Sequence, residues 1–121
     1  HKKGTDGKWW SCEVEAHYGT AVGVDLELLI SRPILEDPAW ISNRLGLARN
    51  LSPKALLEEW SSREAVFKSL APDNKGMLLS QIRKSGNGTY TAFSHTSEKS
   101  AQVRSAVVGK WMLTLAWRSL S

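Results

Sequence analysis

Two acidic residues stand one residue apart in a segment whose pattern would place them side by side. Residues 20–29 alternate small or acidic side chains with aliphatic ones, which is typical of a β-strand. Because side chains alternate between the two faces of a strand, Asp25 and Glu27 share one face. Carboxylate oxygens are the ligands that Mg²⁺ prefers. The segment therefore predicts a hard-cation site, although a half-buried strand with its polar face in water has the same pattern.

A further acid falls on the apolar side of a long helical segment. The helix predicted over residues 53–70 has an apolar stripe centred on Trp60, since its large apolar residues recur every three or four positions. Glu64 lies inside this stripe and Lys68 lies at its edge. A carboxylate directed toward a core is costly unless it is paired or metal-bound. Glu64 is thus another candidate ligand, and the alternative is an ordinary surface ion pair between Glu64 and Lys68.

The elements that must bring these side chains together are strands on both sides of a helical middle. Strands are predicted over residues 9–15 and 20–29, and helices begin at Asp37-Pro38 and at Ser52-Pro53, where a capping side chain precedes a proline. Strands at 77–84 and 89–96 flank an Asn-Gly turn, and strands at 103–108 and 110–118 flank Gly109. This order indicates an α+β fold, with a mostly antiparallel sheet packed against two or three helices.

Length and composition favour one folded domain over residues 1–121, with the polar residues 1–8 as a flexible arm. The 41% hydrophobic and 23% charged residues exclude the disordered and collagen-like classes. A single cysteine, Cys12, forbids an internal disulfide and favours a reducing compartment, so we expect a cytoplasmic protein. No apolar run reaches the roughly 20 residues of a membrane span. The net charge of +4 is compatible with an acidic partner.

The acidic strand and the helix together carry a two-part signature. Residues 23–27 (GVDLE), followed by residues 60–68 (WSSREAVFK), resemble the G-[VI]-D-x-E strand and the W-x-x-[KR]-E-A-x-x-K helix of the 4′-phosphopantetheinyl transferase superfamily. The helix motif matches at every defined position, and the resemblance covers about residues 21–70. It implies a single lobe of the phosphopantetheinyl transferase fold and an enzyme of the holo-acyl-carrier-protein synthase type.

The resemblance implies a reaction and a role for each matching residue. The reaction moves 4′-phosphopantetheine from coenzyme A to a serine of an acyl or peptidyl carrier protein, depends on Mg²⁺ and releases 3′,5′-ADP. Asp25, Glu27 and Glu64 are implied to hold Mg²⁺ against the pyrophosphate of coenzyme A. Lys68 is implied to contact phosphate beside the attacking hydroxyl, and Arg63 to bind coenzyme A. The proton of the serine passes either to Glu64 or to a water on the metal, and the sequence does not choose between them.

Other candidate residues extend the predicted site toward the nucleotide and the carrier. Short members of the family have a Ser-His-Thr near their last strands, which implies a nucleotide contact for His95, although a histidine at a strand end is often a structural hydrogen bonder. His17 precedes the acidic strand and is a second candidate for a nucleotide contact. A basic rim for an acidic carrier is expected at Arg44, Arg49 and Lys54. The resemblance also implies a homo-oligomer, preferably a trimer, with the site between subunits.

Two functions of other classes stay open at this level. The chain could act only as an assembly or carrier-binding module that keeps the fold without turnover. Alternatively, six tryptophans and a net charge of +4 suit a platform for nucleic-acid bases. No RNP, OB or helix-turn-helix pattern accompanies these tryptophans. The transferase hypothesis therefore stands first, and it predicts neither a nucleic-acid partner nor a membrane partner.

Overall fold

A computed structural model describes residues 2–4, 8–14, 18–30, 36–47, 51–94 and 97–120. Within these ranges the helices are α1 (Pro38–Leu45) and α2 (Pro53–Ser69), and a 3₁₀ turn spans Leu79–Gln81. The strands are β1 (Lys2–Lys3), β2 (Trp9–Trp10), β3 (Thr20–Leu28), β4 (Ile82–Gly86), β5 (Thr89–Phe93), β6 (Glu98–Val108) and β7 (Trp111–Ser119). The predicted α+β class is confirmed.

Five of these strands form one antiparallel sheet in the order β3-β7-β6-β5-β4. The tight turns at Gly88 and Gly109 join β4 to β5 and β6 to β7, and both glycines have the positive φ that such turns favour. β3 pairs with β7, so the first long strand joins the sheet beside the last strand that the structure describes. The short strands β1 and β2 pair separately with each other.

Both helices begin where the sequence predicts. The Asp37 side chain accepts a hydrogen bond from the backbone N–H of Trp40 at 3.1 Å, and the Ser52 hydroxyl accepts one from the N–H of Ala55 at 3.2 Å. A proline follows each cap, where its missing N–H costs nothing. In the described part of the chain, neither helix has the length and hydropathy that crossing a bilayer would require.

Helix α2 lies across β3, β7 and β6, and it approaches β3 most closely at Gly23. A Cβ atom at position 23 would stand 1.9 Å from the Ala65 carbonyl oxygen, so only glycine lets the helix backbone lie this close. The face of β3 that carries the acids is therefore covered by the helix, and the alternative of a polar face in water is wrong. Two apolar clusters complete the contact, and their central buried residues are Val66, Leu70 and Ile82 in one and Ile41, Leu45 and Leu56 in the other.

The structure corrects several of the predicted elements: β5 ends at Phe93 and not at residue 96, and β6 begins at Glu98 and not at residue 103. Of the strand expected over residues 9–15, the described residues 9–14 form a strand only in β2, and Val14 is 39% exposed, so the alternation there does not mark a buried face. Its partner β1 falls within the segment expected to be a flexible arm. The strand expected from residue 77 begins only at Ile82, because the Gln81 side chain accepts a hydrogen bond from the Leu78 N–H and stabilises the 3₁₀ turn before it.

Candidate functional site

Strand β3 carries Asp25 directly against helix α2, in the layer between helix and sheet. Asp25 is 2% exposed, and both of its carboxylate oxygens have partners on the helix. Oδ1 lies 3.0 Å from the Lys68 ammonium, and Oδ2 accepts a hydrogen bond from the Ser61 hydroxyl at 2.9 Å. Burying a carboxylate requires such partners. The contact therefore joins the two segments that the sequence singles out, 43 residues apart between Asp25 and Lys68.

Lys68 reaches its partners from the edge of the helix. Its side chain is 45% exposed, and its ammonium also donates to the backbone carbonyl of Val24 at 3.2 Å. The ion pair that it forms is with Asp25 on the neighbouring strand, so the predicted alternative of a simple surface pair with Glu64 is wrong. The Lys68 ammonium thus lies between the buried Asp25 carboxylate and solvent.

Glu27 and Glu64 lie in the field of Asp25, and we call Asp25, Glu27 and Glu64 the acidic cluster. Burial, together with the charge of Asp25, raises the pKa of Glu27 to about 7. Burial and the charge of Asp25 also raise the pKa of Glu64, and the nearby Lys68 charge opposes that rise. Carboxyl groups that disfavour one another's ionisation mark a place where negative charge is in excess. Such sites attract cations.

Lys2 supplies a second cation from the N-terminal residues. Its ammonium lies 3.5 Å from Glu27 Oε1, and its side chain is 46% exposed whereas that of Glu27 is 14% exposed. The Lys2 charge lowers the pKa of Glu27, against the larger effects of burial and Asp25. The sequence did not predict this contact, because residues 1–8 show no periodic pattern that would direct them toward the acids. The acids of the cluster are therefore mostly buried, and their cations reach them from solvent.

The donor set of the acidic cluster fits a hard divalent cation in type and charge. Carboxylate oxygens are what Mg²⁺ binds, and a bound cation would oppose the rise in pKa that burial and the charge of Asp25 cause in Glu27 and Glu64. Across the described residues, however, the side chains as they stand form no group of three or more His, Cys, Asp or Glu that could hold a metal ion. In addition, the Lys68 ammonium occupies one oxygen of Asp25. The acidic cluster therefore matches Mg²⁺ in the type and charge of its donor atoms, and not in the arrangement that its side chains have here.

Three hydroxyl groups link Asp25 to the sheet, the first on α2 and the other two on strands β7 and β6. The Ser61 oxygen lies 2.8 Å from that of Thr114, which lies 2.9 Å from that of Ser105. These residues were missed by the sequence analysis. Ser61 precedes Glu64 by three positions and Lys68 by seven, so the helical period could have placed it on their face. Thr114 could not have been found, because it meets Asp25 only through the register of β3 with β7.

A cavity of about 480 Å³ opens beside Glu64, between the two helices and the segment before β4. Its walls are largely apolar, with Phe67, Met77 and Leu79 among them, and Arg44 adds a positive charge at its side. The Arg44 guanidinium lies 5.2 Å from the centre of the Trp40 ring, a cation–π contact that holds it at the surface. The predicted rim residue Arg44 is therefore close to the acidic cluster.

Of the other predicted docking and nucleotide residues, the structure describes only Lys54, and this residue lies away from the cavity. Lys54 is exposed in the first turn of α2, and at 1.5 Å per residue it stands about 15 Å along the helix from Glu64. His17, Arg49 and His95 lie outside the described residues, so their predicted roles stay predictions.

Arg63 has a structural place instead of the predicted contact with coenzyme A. It is 4% exposed, and its guanidinium donates to the backbone carbonyls of Leu45 and Leu79 and pairs with Glu59 at 3.3 Å. These bonds tie α2 to the end of α1 and to the 3₁₀ turn. Arg63 lies about 100° around the helix axis from Glu64, on the side of α2 that packs against α1 and the 3₁₀ turn. Arg63 is therefore left out of the site.

Two comparisons with known proteins identify no relative of this chain. A scan against protein-family models matches none of them, and a search of curated proteins finds no significant match.

Proposed function

We propose that this chain is a single lobe of the phosphopantetheinyl transferase fold, and that it transfers 4′-phosphopantetheine from coenzyme A to a serine of a carrier protein with the help of Mg²⁺. One observation carries the proposal. The Lys68 ammonium of the helix motif lies 3.0 Å from the buried Asp25 carboxylate of the strand motif.

This contact matters because each motif is short enough to recur by chance. A chance pair of motifs has no reason to pack together, whereas the proposed site requires the strand acid and the helix lysine to meet. Asp25 and Lys68 do so through a buried carboxylate, and Glu64 lines the adjacent cavity. An α+β fold with an antiparallel sheet and two helices is compatible with the proposal as well.

The proposed reaction uses few groups. The serine oxygen of the carrier bonds to the phosphorus that bears pantetheine, and the bond from that phosphorus to the bridging oxygen breaks, so that 3′,5′-ADP leaves with the electron pair. When bound, Mg²⁺ would neutralise charge on the pyrophosphate, held by Asp25, Glu27 and Glu64. Lys68 would neutralise the phosphate being transferred. We assign the serine proton to Glu64, because this carboxyl lines the cavity that a substrate can enter.

The proposed partner is an acidic carrier protein, and the proposed rim for it includes Arg44 beside the cavity. An exposed cation near the site raises the encounter rate with an anionic partner, most strongly at low salt. Arg44→Glu should therefore slow carrier modification several-fold in low salt and less in high salt. A homo-oligomer, preferably a trimer, remains part of the proposal, and sedimentation equilibrium would measure it.

The proposal is tested by incubating the protein with coenzyme A, Mg²⁺ and a panel of apo-carrier proteins. We expect the intact mass of one or more carriers to rise by one phosphopantetheine group, with an equal amount of 3′,5′-ADP released. Chelating the metal with EDTA should stop both. Carriers and coenzyme A that stay unchanged at every Mg²⁺ concentration would contradict the proposal. Carrier binding without a mass change would identify the assembly module instead, and salt-sensitive binding of RNA or DNA would identify the nucleic-acid platform.

Matched variants link the activity to the site. Glu64→Gln and Lys68→Met should each lower turnover about a hundredfold or more, as expected for a proton acceptor and a phosphate contact. Glu58→Gln on the same helix and Lys84→Met on β4 make the same chemical changes at exposed positions away from the acidic cluster. Turnover of these two controls should match that of the wild type.

A further inference from the structure

Three hydroxyl groups form a continuous path from the buried Asp25 carboxylate to the surface of the sheet. Ser61 and Thr114 are both 0% exposed, and Ser105 is exposed at the far end. The oxygen distances along the path are 2.9 Å from Asp25 Oδ2 to Ser61, 2.8 Å from Ser61 to Thr114, and 2.9 Å from Thr114 to Ser105. Helix α2 supplies the first hydroxyl, and the facing strands β7 and β6 supply the other two.

A serine hydroxyl has one proton and a carboxylate only accepts hydrogen bonds, so Ser61 is the donor to Asp25 Oδ2. The same hydroxyl is also oriented as a donor toward Thr114 Oγ1, and the negative charge of the carboxylate makes Asp25 the stronger of the two acceptors. Between Thr114 and Ser105 either oxygen can be the donor. In a dry layer, hydrogen bonds that share atoms polarise one another. The result is a fixed anchor on one oxygen of Asp25, while the other oxygen is turned toward Lys68.

A buried serine on this helix does not need such a partner. Ser69, which is 2% exposed, donates to the Val66 carbonyl of its own helix at 2.6 Å. Ser61 donates to the strand carboxylate instead, across 36 residues of sequence. The two serines therefore differ in what their hydroxyls hold, although both lie buried on the same helix. This makes Ser69 a matched control for Ser61.

We propose that Ser61 is a positioning residue for Asp25, with Thr114 and Ser105 supporting it: the hydroxyl path fixes the rotation of the carboxylate so that Oδ1 is the oxygen presented to Lys68 and to a divalent cation. This inference rests on the proposed function, since it concerns the same metal-binding acid. Partners that orient a metal ligand typically change metal affinity about 10- to 100-fold when they are removed.

The test is a calorimetric titration of the whole chain with Mg²⁺ in the presence of coenzyme A. Ser61→Ala should raise the half-saturating Mg²⁺ concentration about tenfold or more, and Ser69→Ala should leave it unchanged. Thr114→Val removes the next hydroxyl at nearly constant shape, and we expect a several-fold rise. Thr114→Ser keeps the hydroxyl and should restore wild-type affinity. Ser105→Ala should have the smallest effect, because water can replace an exposed hydroxyl.

Thermal melting of each variant without metal shows whether it is folded, and the Thr114→Val and Thr114→Ser pair decides the matter if Ser61→Ala does not fold. Wild-type Mg²⁺ affinity in a folded Ser61→Ala variant, or in Thr114→Val, would overturn the positioning role and leave the proposed function standing. Absence of Mg²⁺ binding by the wild type, with and without coenzyme A, would overturn both. A rise in Ser61→Ala that Ser69→Ala shares would also overturn the positioning role, since it would reflect any lost buried hydroxyl.

Discussion

Helix α2 carries two networks of ionisable groups little more than one turn apart, and they are built in opposite ways. In the Glu59 network (Glu59, Arg63 and Tyr90), one carboxylate accepts from the Tyr90 hydroxyl at 2.8 Å and from Arg63 at 3.3 Å. The arginine is buried with its acid. In the acidic cluster, by contrast, three carboxyl groups share the space, and the lysines that approach them are nearly half exposed.

The Glu59 network is a structural contact that holds parts of the fold together, whereas the acidic cluster has negative charge that the protein does not fully neutralise. We call the Glu59 network closed, because the hydrogen bonds of its carboxylate and guanidinium go to partners within the protein. The acidic cluster is open, because burial and the charge of Asp25 raise the pKa values of Glu27 and Glu64, and the cations reach the cluster from solvent. We therefore expect substitutions in the first network to change stability, and substitutions in the second to change function.

The largest effect should come from removing an acid of the open network. Asp25→Ala and Glu64→Ala should each lose turnover by more than about a thousandfold, because the charge neutralisation that they support is worth several kcal/mol. Both should melt close to the wild type, since the Lys68 left without Asp25 can turn to water. Glu27→Ala should be milder, because Mg²⁺ can replace one carboxylate by water. Near-normal turnover in a folded Asp25→Ala variant would contradict the assignment of the acidic cluster to function and of the Glu59 network to stability.

The next effect concerns the closed network. Arg63→Met should lower the free energy of unfolding by about 3 kcal/mol, because it removes the cation that pairs with the Glu59 carboxylate and the donor to the Leu45 carbonyl. Urea denaturation would measure the loss, with Arg104→Met on the exposed face of β6 as a control. If the two variants were equally stable, the Glu59 network would not be the structural contact that its geometry indicates.

A smaller effect is expected at the tyrosine of the same network. Tyr90→Phe removes one hydrogen bond to Glu59 and should cost about 1 kcal/mol of unfolding free energy at neutral pH. Burial and the Glu59 charge also raise the pKa of Tyr90. Its contribution is therefore complete below the unfolded pKa near 10 and is lost as the pH rises further. The stability of the wild type should fall more steeply above about pH 10 than that of Tyr90→Phe, which denaturation at several pH values would show.

The smallest effect belongs to an ion pair outside both networks. Asp73 and Lys99 pair at 2.8 Å on the surface, and the hydrogen bond from Lys99 lowers the pKa of Asp73. A lowered pKa stabilises the fold above the unfolded pKa of the aspartate, near 4, and this contribution is lost as the pH falls through the folded value. Lys99→Ala should shift the acid-unfolding midpoint slightly upward at low salt. The shift should vanish in about 1 M NaCl, because salt screens exposed charges.

Much of the acidic cluster could be predicted because it follows from two local periods. The strand alternation put Gly23 and Asp25 on one face, and the helical period put Glu64 and Lys68 near the apolar stripe. The packing of α2 on Gly23 and the contact between Asp25 and Lys68 agree with both. The helix starts were equally local, because a capping side chain and the proline after it fix them.

What could not be predicted depends on which distant segments meet. The direction of Arg63 follows from the packing of α1 and the 3₁₀ turn around it, whereas its predicted contact with coenzyme A came from the motif resemblance. Thr114 is an ordinary strand residue until the register sets it opposite Asp25. Strand β2 is shorter than its alternation suggests, because pairing with β1 and not the side-chain pattern determines its length.

The pairing of β3 with β7 also sets the order in which the molecule can be made. Asp25 faces Thr114 in that register, so about 90 residues must be synthesised between the strand that carries the acid and the strand that it joins. At ordinary rates of translation this takes on the order of ten seconds. Throughout that time β3 has no β7 to pair with, and contacts this distant in sequence close slowly because of their loop entropy. The acids of the cluster lie on β3 and α2, so all three are synthesised before the strand that completes the sheet beside them.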